Sequence, residues 1–182
     1  MKNAETPVFK VVLFGAPSSL GNALADELLS RQHEVTEVVD DLNRQPPRPG
    51  LHFKLGGLAH ADQAEQSVAG GSAVIALLST LAPGDLATQL QMSQALVAAL
   101  YRTTIRRLLL VGDFAVLDAP GEHSQEAGDY ANRIVDLLQR SALRWTLVNA
   151  PQAEPGLARI AAGMVDALEL NLHQGEHLNF VL

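Results

Sequence analysis

The chain of 182 residues contains no cysteine, and this absence excludes several kinds of chemistry. Disulfides, thiolate metal sites and cysteine nucleophiles all require that side chain. Basic residues are also scarce, since 13 Lys and Arg stand against 20 Asp and Glu and give a formal charge of −7. A chain of this charge without a basic run is not expected to bind nucleic acid or an anionic membrane surface.

Long hydrophobic runs are missing as well, although hydrophobic residues make up 47% of the chain. No stretch is long enough or apolar enough to span a bilayer, and residues 1–7 lack the apolar core of a signal peptide. We therefore expect a cytoplasmic protein in which 1–7 is flexible. The length suits one domain, spanning 1–182, with a sizeable core.

Strand-like apolar runs alternate with helix-like patterns along the whole chain. The predicted strands are 8–14, 34–39, 51–55, 73–78, 108–111, 145–148 and 178–182. This alternation predicts βαβ units, and therefore a single three-layer α/β domain with a doubly wound, mostly parallel sheet of Rossmann type. Such a sheet binds ligands outside the carboxyl ends of its strands, at the switch between the first and fourth strands.

The most informative segment is 11–21, where an apolar strand breaks into a turn of small residues and a helix follows at once. Gly15 and Gly21 stand at two of the three glycine positions of a dinucleotide-binding turn. Ser18 stands at the middle position, and Pro17 removes one amide donor. The unpaired amides and the positive dipole end of the helix would bind a pyrophosphate.

A carboxylate follows the second predicted strand, about twenty residues beyond the turn, at the separation expected for a ribose ligand. Asp40, followed by Asp41, would accept the hydrogen bond of the adenosine ribose 2′-hydroxyl. A carboxylate there repels a 2′-phosphate. The pattern therefore predicts NAD(H) as cofactor in preference to NADP(H).

Four stretches resemble a known family. The segment 15–21 reads Gly-Ala-Pro-Ser-Ser-Leu-Gly where the family has Gly-Ala-Thr-Gly-x-x-Gly, and 33–36 matches its second-strand opening. The segments 68–75 and 141–148 are similar to its passages into the fourth and sixth strands. The chain thus resembles the atypical short-chain dehydrogenase/reductase-like family of NAD(P)-binding proteins, which includes NmrA-like and flavin- or biliverdin-reductase-like members.

This resemblance implies an NAD(P)H-dependent oxidoreductase that reduces a small quinone- or flavin-like acceptor. The chain departs from the family at Gly57, where a carboxylate is usual, and at 149–151, where Asn-Ala-Pro replaces an Arg-Pro pair. It also lacks the substrate-shaping segment before the last helix. These departures leave open a non-catalytic sensor or partner-binding protein with a degenerate site and weak dinucleotide binding.

The turn, the strand ends and the resemblance together indicate the candidate cofactor-binding residues. They are Gly15, Ala16, Ser18, Ser19, Leu20, Gly21, Asp40, Asp41, Gly57, Leu58, Ser79, Asn149 and Pro151.

Three side chains are candidates for a catalytic role. Tyr130 lies on the helix where the wider superfamily has a Tyr-x-x-x-Lys pair, but Ile134 stands in place of the lysine. Ser79 and Asp113 follow predicted strands on the ligand side of the sheet. The alternatives are packing on a helix face for Tyr130 and simple hydration for the two strand ends.

Two further patterns concern metals and partners. His173 and His177 have helical metal-ligand spacing, but Gly175 lies between them in a segment that reads as a turn, so no metal site is predicted. The predicted helix 85–103 has a broader apolar surface than one buried stripe requires. That surface indicates a homodimer or, alternatively, additional core.

Overall fold

Apolar runs of strand length form a parallel sheet, and the amphipathic segments between them form helices. A computed structural model describes residues 7–43, 46–119, 121–150 and 155–180. The strands are β1 (Lys10–Phe14), β2 (Glu34–Val39), β3 (Leu51–Leu55), β4 (Ala73–Leu77), β5 (Arg107–Val111), β6 (Arg144–Asn149) and β7 (Glu176–Asn179). The helices are α1 (Ser19–Ser30), α2 (Ala61–Val68), α3 (Leu78–Leu81), α4 (Leu86–Tyr101), α5 (Gln125–Gln139) and α6 (Leu157–Glu169), with a 3-10 turn at Phe114–Leu117.

All seven strands run parallel, in the order β3-β2-β1-β4-β5-β6-β7. The strand order reverses between β1 and β4, as the sequence predicted, so the carboxyl ends of these two strands form the switch point of the sheet. Every residue of β4 and β5 is buried, as expected for strands that are covered on both faces.

Helices cover both faces of the sheet. Helices α1 and α6 pack together on one face, and α4 packs between α2 and α5 on the other. The predicted three-layer, doubly wound α/β domain of Rossmann type is therefore confirmed. None of the described helices is long and apolar enough to cross a membrane.

Several element boundaries differ from those predicted. The fourth strand ends at Leu77 rather than at Leu78, because the amide of Ala82 donates to the carbonyl of Leu78 (2.8 Å) and closes a helical turn. Ser79 therefore lies in α3 and not at a strand end. The first strand begins at Lys10 instead of residue 8, and residues 1–6 of the expected flexible segment lie outside the described residues.

The last strand begins and ends earlier than the prediction of 178–182. The amide of Gly175 donates to the carbonyl of Trp145 (2.7 Å), so pairing with β6 is established before β7 starts at Glu176. The strand ends at Asn179, and 181–182 lies outside the described residues.

Arg107 opens β5 and is a buried cation that the sequence did not reveal, with 1% of its surface exposed. Its Nη1 donates to the carbonyl of Arg144 (2.8 Å) and to Oγ1 of Thr146 (2.9 Å), both on β6. Its Nη2 donates to the carbonyls of Ala167 (3.1 Å) and Leu172 (2.9 Å) at the end of α6. One side chain thus joins the sheet to the last helix and to the segment before β7.

The surroundings of Arg107 stabilise a positive charge although, among the described residues, its guanidinium is bonded to carbonyl and hydroxyl oxygens and not to a carboxylate. Burial is the larger of two causes that lower the pKa of Arg107 to about 10, and the nearby positive charge of Arg144 is the other. The side chain is still a cation at neutral pH. Its acceptors at the end of α6 carry the negative partial charge of a helix C-terminus, which favours a cation there.

We predict that Arg107→Met destabilises the protein, because it removes the four hydrogen bonds by which the buried guanidinium joins β6, α6 and the segment before β7. The expected loss is about 2–4 kcal/mol in the free energy of unfolding, measured by urea denaturation. Arg144→Met is the matched control, since Arg144 is the register neighbour of Arg107 and is exposed to solvent. Equal effects of the two substitutions would contradict this role for Arg107.

Candidate functional site

The turn between β1 and α1 is tight because two glycines allow close backbone approaches. Gly15 has a positive φ of +82°, and a Cβ there would lie 2.9 Å from both the Cβ and the carbonyl oxygen of Leu77. A Cβ at Gly21 would lie 2.2 Å from the carbonyl oxygen of Ala16. The first glycine thus permits the turn beside β4, and the last permits α1 to begin against it.

Ser18, at the middle glycine position, has an extended backbone (φ −153°, ψ 164°) that any residue adopts. Its Oγ accepts a hydrogen bond from the amide of Gly21 (2.9 Å) and donates to the carbonyl of Gly15 (3.2 Å). Ser18 is therefore the N-cap of α1. Serine in place of the middle glycine of the motif therefore fits this turn without backbone strain.

Two backbone amides remain at the start of α1 for an anion. Within the described chain, the amides of Ser19 and Leu20 donate to no protein group, whereas the amide of Asn22 already bonds the carbonyl of Ser18 (2.9 Å). They lie at the positive dipole end of a helix of 12 residues. Such amides at a helix N-terminus form a phosphate site.

A cleft of about 470 Å³ lies beside this turn and runs between the ends of β2 and β3. It brings together four predicted cofactor residues, Gly15, Asp40, Gly57 and Leu58. Its walls also include residues that sequence reasoning missed, namely Pro17, Gln63, Thr80, Leu81 and Met92. Met92 was predictable only as an apolar residue of α4, because the approach of α4 to the cleft is a tertiary feature.

The segment Gly56–Gly57 lies beside this cleft and is held by the buried hydroxyl of Ser67. That hydroxyl accepts from the amide of Gly57 (3.0 Å) and donates to the carbonyl of Gln63 (2.8 Å). A Cβ at Gly56 would lie 2.1 Å from the same oxygen, so this position requires glycine. At Gly57 the three atoms nearest to an added Cβ all belong to the Gln63 side chain, the first at 3.2 Å, so a flexible side chain is the first obstacle to a residue with a carboxylate.

The other predicted cofactor residues have individual settings outside the cleft. Asp41 accepts the amide of Asn43 (2.9 Å) and shapes the turn after β2. Asn149 donates to Oδ1 of Asn179 on β7 (3.0 Å). Ser79 is 7% exposed, and its Oγ has no hydrogen-bond partner among the described residues. Pro151 lies outside the described residues.

The three catalytic candidates are not gathered in one cavity. Asp113 accepts the amide of Gly84 (3.1 Å) and Nε2 of Gln89 (2.5 Å), so its carboxylate helps to hold the segment before α4. Tyr130 is half-buried and lines a separate recess of about 290 Å³ between the first turns of α4 and α5. Ser79 is buried in a third place, so the three candidates lie in three different environments.

The histidines near the last strand are bound to carboxylates. Nδ1 of His173 lies 2.7 Å from Oε2 of Glu176, and Nδ1 of His177 lies 3.4 Å from Oδ1 of Asp118. Across the ranges that the structure describes, no three His, Asp or Glu side chains come together as ligands for a metal ion.

The switch point, the glycine turn and the adjoining cleft define a dinucleotide-binding protein of Rossmann type. Comparison with protein families agrees, because a family described as NAD(P)H-binding matches residues 15–162. The chain belongs to this NAD(P)H-binding family, in keeping with its resemblance to atypical short-chain dehydrogenases/reductases. Its cofactor is therefore a nicotinamide dinucleotide.

Solved structures share the fold over nearly the whole chain. A candidate epimerase from Bacteroides thetaiotaomicron is 20% identical, with a TM-score of 0.77, 95% of this chain covered and 96% of that chain. A candidate NADH-flavin reductase from Streptococcus pneumoniae is 23% identical, with a TM-score of 0.71 and coverages of 94% and 98%. A short-chain dehydrogenase/reductase from Veillonella parvula, solved with NADP, is 14% identical, with a TM-score of 0.68 and coverages of 95% and 94%. At these identities the likeness shows the fold.

We predict that Gly21→Ala disrupts the turn, because the new methyl group would meet a backbone oxygen that cannot move aside alone. The expected cost is about 1–3 kcal/mol of stability, with loss of NADH binding in a calorimetric titration. Gly128→Ala in α5 is the control, since a Cβ there has only Val116 within 4 Å, at 3.9 Å. This control should gain up to about 1 kcal/mol from helix propensity. Unchanged NADH binding by Gly21→Ala would contradict the assignment.

Proposed function

We propose that the protein is an NAD(P)H-dependent oxidoreductase that reduces a small quinone- or flavin-like acceptor. The observation that carries the proposal is the cleft at the switch point, which is lined by Gly15 of the glycine turn together with Asp40 and Gly57. The bound cofactor supplies the hydride, so the protein needs chiefly to bind and orient the two reactants.

In this proposal each part of the site has one task. The amides of Ser19 and Leu20 bind the pyrophosphate, and the carboxylate of Asp40 binds the adenosine ribose. The Gly57 segment borders the adenine. Ser79 follows β4, whose neighbours in the sheet are β1 and β5, and its hydroxyl would bond the nicotinamide half. A ligand there would satisfy a buried oxygen that has no protein partner in the described chain.

We propose NAD(H) as the preferred cofactor, on the basis of Asp40. Asp40 is exposed at the end of β2 and lines the cleft, and this supports a role for its carboxylate at the ribose 2′-substituent. It accepts a hydrogen bond from a 2′-hydroxyl and repels a 2′-phosphate.

Calorimetric titration of Asp40→Asn tests this preference. Loss of a hydrogen bond to a charged acceptor should weaken NADH binding by about tenfold, while NADPH binding stays the same or improves. Asp129→Asn, an exposed carboxylate on α5, makes the same change in net charge and should change neither affinity. Tighter binding of NADPH than of NADH by the unaltered protein would refute the proposed preference.

Oxidation of NADH with a panel of quinones and flavins tests the reaction itself, and Ser79→Ala tests the nicotinamide side. Removal of an unpartnered buried hydroxyl should leave the free protein at least as stable. The same substitution should lower kcat and reduce the rise in Tm that NADH causes. An unchanged NADH-induced rise in Tm would mean that Ser79 is merely buried.

A non-catalytic dinucleotide sensor or partner-binding protein is the second candidate. It is favoured by the separate environments of Tyr130, Ser79 and Asp113, which leave no described constellation of acid, base and substrate pocket. Calorimetric binding of NADH without turnover of any acceptor in the panel would support this alternative over the reductase.

Three expectations about the setting of the protein stay predictions. They are the cytoplasmic location, the small-molecule substrate and the homodimer through α4. Much of the apolar surface of α4 already packs against α2 and α5, and Tyr101 and Ala98 are exposed near its end.

A further inference from the structure

A second cavity lies at the opposite edge of the sheet from the cofactor cleft. This groove, of about 660 Å³, is bounded by the last turns of α4 and α5 and by the segment 141–143. Those elements lead into the amino ends of β5 and β6, whereas the cofactor cleft lies at the carboxyl ends of the strands. We call it the basal groove.

The body of the basal groove is apolar. It is lined by Val97 and Ala98 of α4, Leu137 of α5, and Ala142 and Leu143 before β6. Tyr101, one of only two tyrosines in the chain, stands at its side with 84% of its surface exposed. A volume of this size lies within the range of small-molecule pockets, roughly 300–1,000 Å³.

The charge in the basal groove is of one sign. Arg102, Arg106 and Arg140 line it, and no described carboxylate does. The chain as a whole has a formal charge of −7, so this basic site stands against the overall charge of the protein. Apolar walls with several cations are complementary to a molecule that is apolar over most of its length and negative at one point.

The three arginines differ in how many hydrogen bonds and ion pairs their guanidinium groups already make within the protein. Arg102 pairs with Asp62 (2.8 Å) and Glu65 (3.0 Å) on α2. Arg106 donates from Nη1 to backbone carbonyls, including that of Thr103 (2.7 Å), and so keeps its charge without a carboxylate. Arg140, at the end of α5, has no hydrogen bond or ion pair from its side chain in the part of the chain described here.

We propose that the basal groove binds an amphipathic organic anion, with an aromatic or aliphatic body and a single carboxylate or sulfonate. The anionic group lies against Arg140 and Arg106, and the body lies along Val97, Ala98 and Leu143. Arginine favours this role because its planar guanidinium donates two parallel hydrogen bonds to a carboxylate.

A second copy of the chain fits the basal groove less well than a small anion. A two-fold contact centred here would bring Arg106 and Arg140 of both copies together, with no carboxylate in the described groove to compensate them. The local charge therefore favours a small occupant whose own charge is negative. This inference does not depend on the proposed reductase activity, because the groove shares no lining residue with the cofactor cleft.

Two dyes with nearly the same skeleton test the proposal. 1-Anilinonaphthalene-8-sulfonate carries a negative charge, and N-phenyl-1-naphthylamine is neutral. Fluorescence titration of the full chain should show tighter binding of the anionic dye, and decanoate should displace it. Arg140→Gln should lower the affinity for the anionic dye by about tenfold, as expected for loss of a charge-assisted contact. The affinity for the neutral dye should be unchanged.

Two further variants locate the site. Ala98→Trp, at an exposed position on α4, should fill the groove and lower the affinity for both dyes. Arg133→Gln, on the exposed surface of α5 outside the groove, makes the same charge change as Arg140→Gln and should weaken neither.

The proposal is overturned if the anionic dye does not bind, or if Arg140→Gln and Arg133→Gln have equal effects. It is also overturned if light scattering gives a dimer that Ala98→Trp converts to a monomer, since the occupant would then be a second copy. If the protein binds the anionic dye but oxidises NADH with no acceptor, the proposed reductase activity is refuted and the proposed anion site is not.

Discussion

The close approach of the β1–α1 turn to β4 is the constraint on which the functional half of the molecule depends. Gly15 lies against Leu77, and Gly21 lies against the carbonyl of Ala16, so α1 can begin immediately beyond the sheet. Because α1 begins there, its open amides face the edge at which the strand order reverses. The cleft between β1, β2 and the Gly57 segment follows from the same placement. Side chains larger than hydrogen at either glycine would separate these elements.

The other half of the domain is held by polar contacts at the end of α6. Arg107 bonds the carbonyls of Ala167 and Leu172, while Glu169 pairs with Arg31 (2.9 Å) and His33 (2.6 Å). The amide of Phe9 donates to Nδ1 of His33 (3.1 Å), so in the neutral ring Nε2 carries the proton toward Glu169. The His33 position, which supported the family resemblance, therefore has a structural task in joining β1, α1 and α6.

Most of the fold was predictable from the sequence because it depends on local patterns. Continuous apolar runs predicted the strands, and the glycine turn and Asp40 were expected at one site and do line one cleft. Features that depend on tertiary contacts were not predictable. The predicted strands 108–111 and 145–148 follow the apolar runs alone, yet the backbone of Arg107 and of Arg144 continues the ladder. The contribution of Met92 to the cleft likewise arises from tertiary packing, since Met92 packs against the same core cluster as Leu78.

In the proposed site, the serine in the glycine motif would make dinucleotide binding weaker than a full motif would. The hydroxyl of Ser18 stabilises α1 by accepting the amide of Gly21, and that amide is then engaged within the protein. Pro17 has no amide to offer, so Ser19 and Leu20 provide the donors that remain open. A hydrogen bond to a charged group is worth about 1.5–3 kcal/mol, so each amide withdrawn from a phosphate weakens binding by a factor of ten or more. In the proposed site the turn would therefore bind phosphate less strongly while starting a stable helix, and Asp40 would contribute a larger share of cofactor recognition.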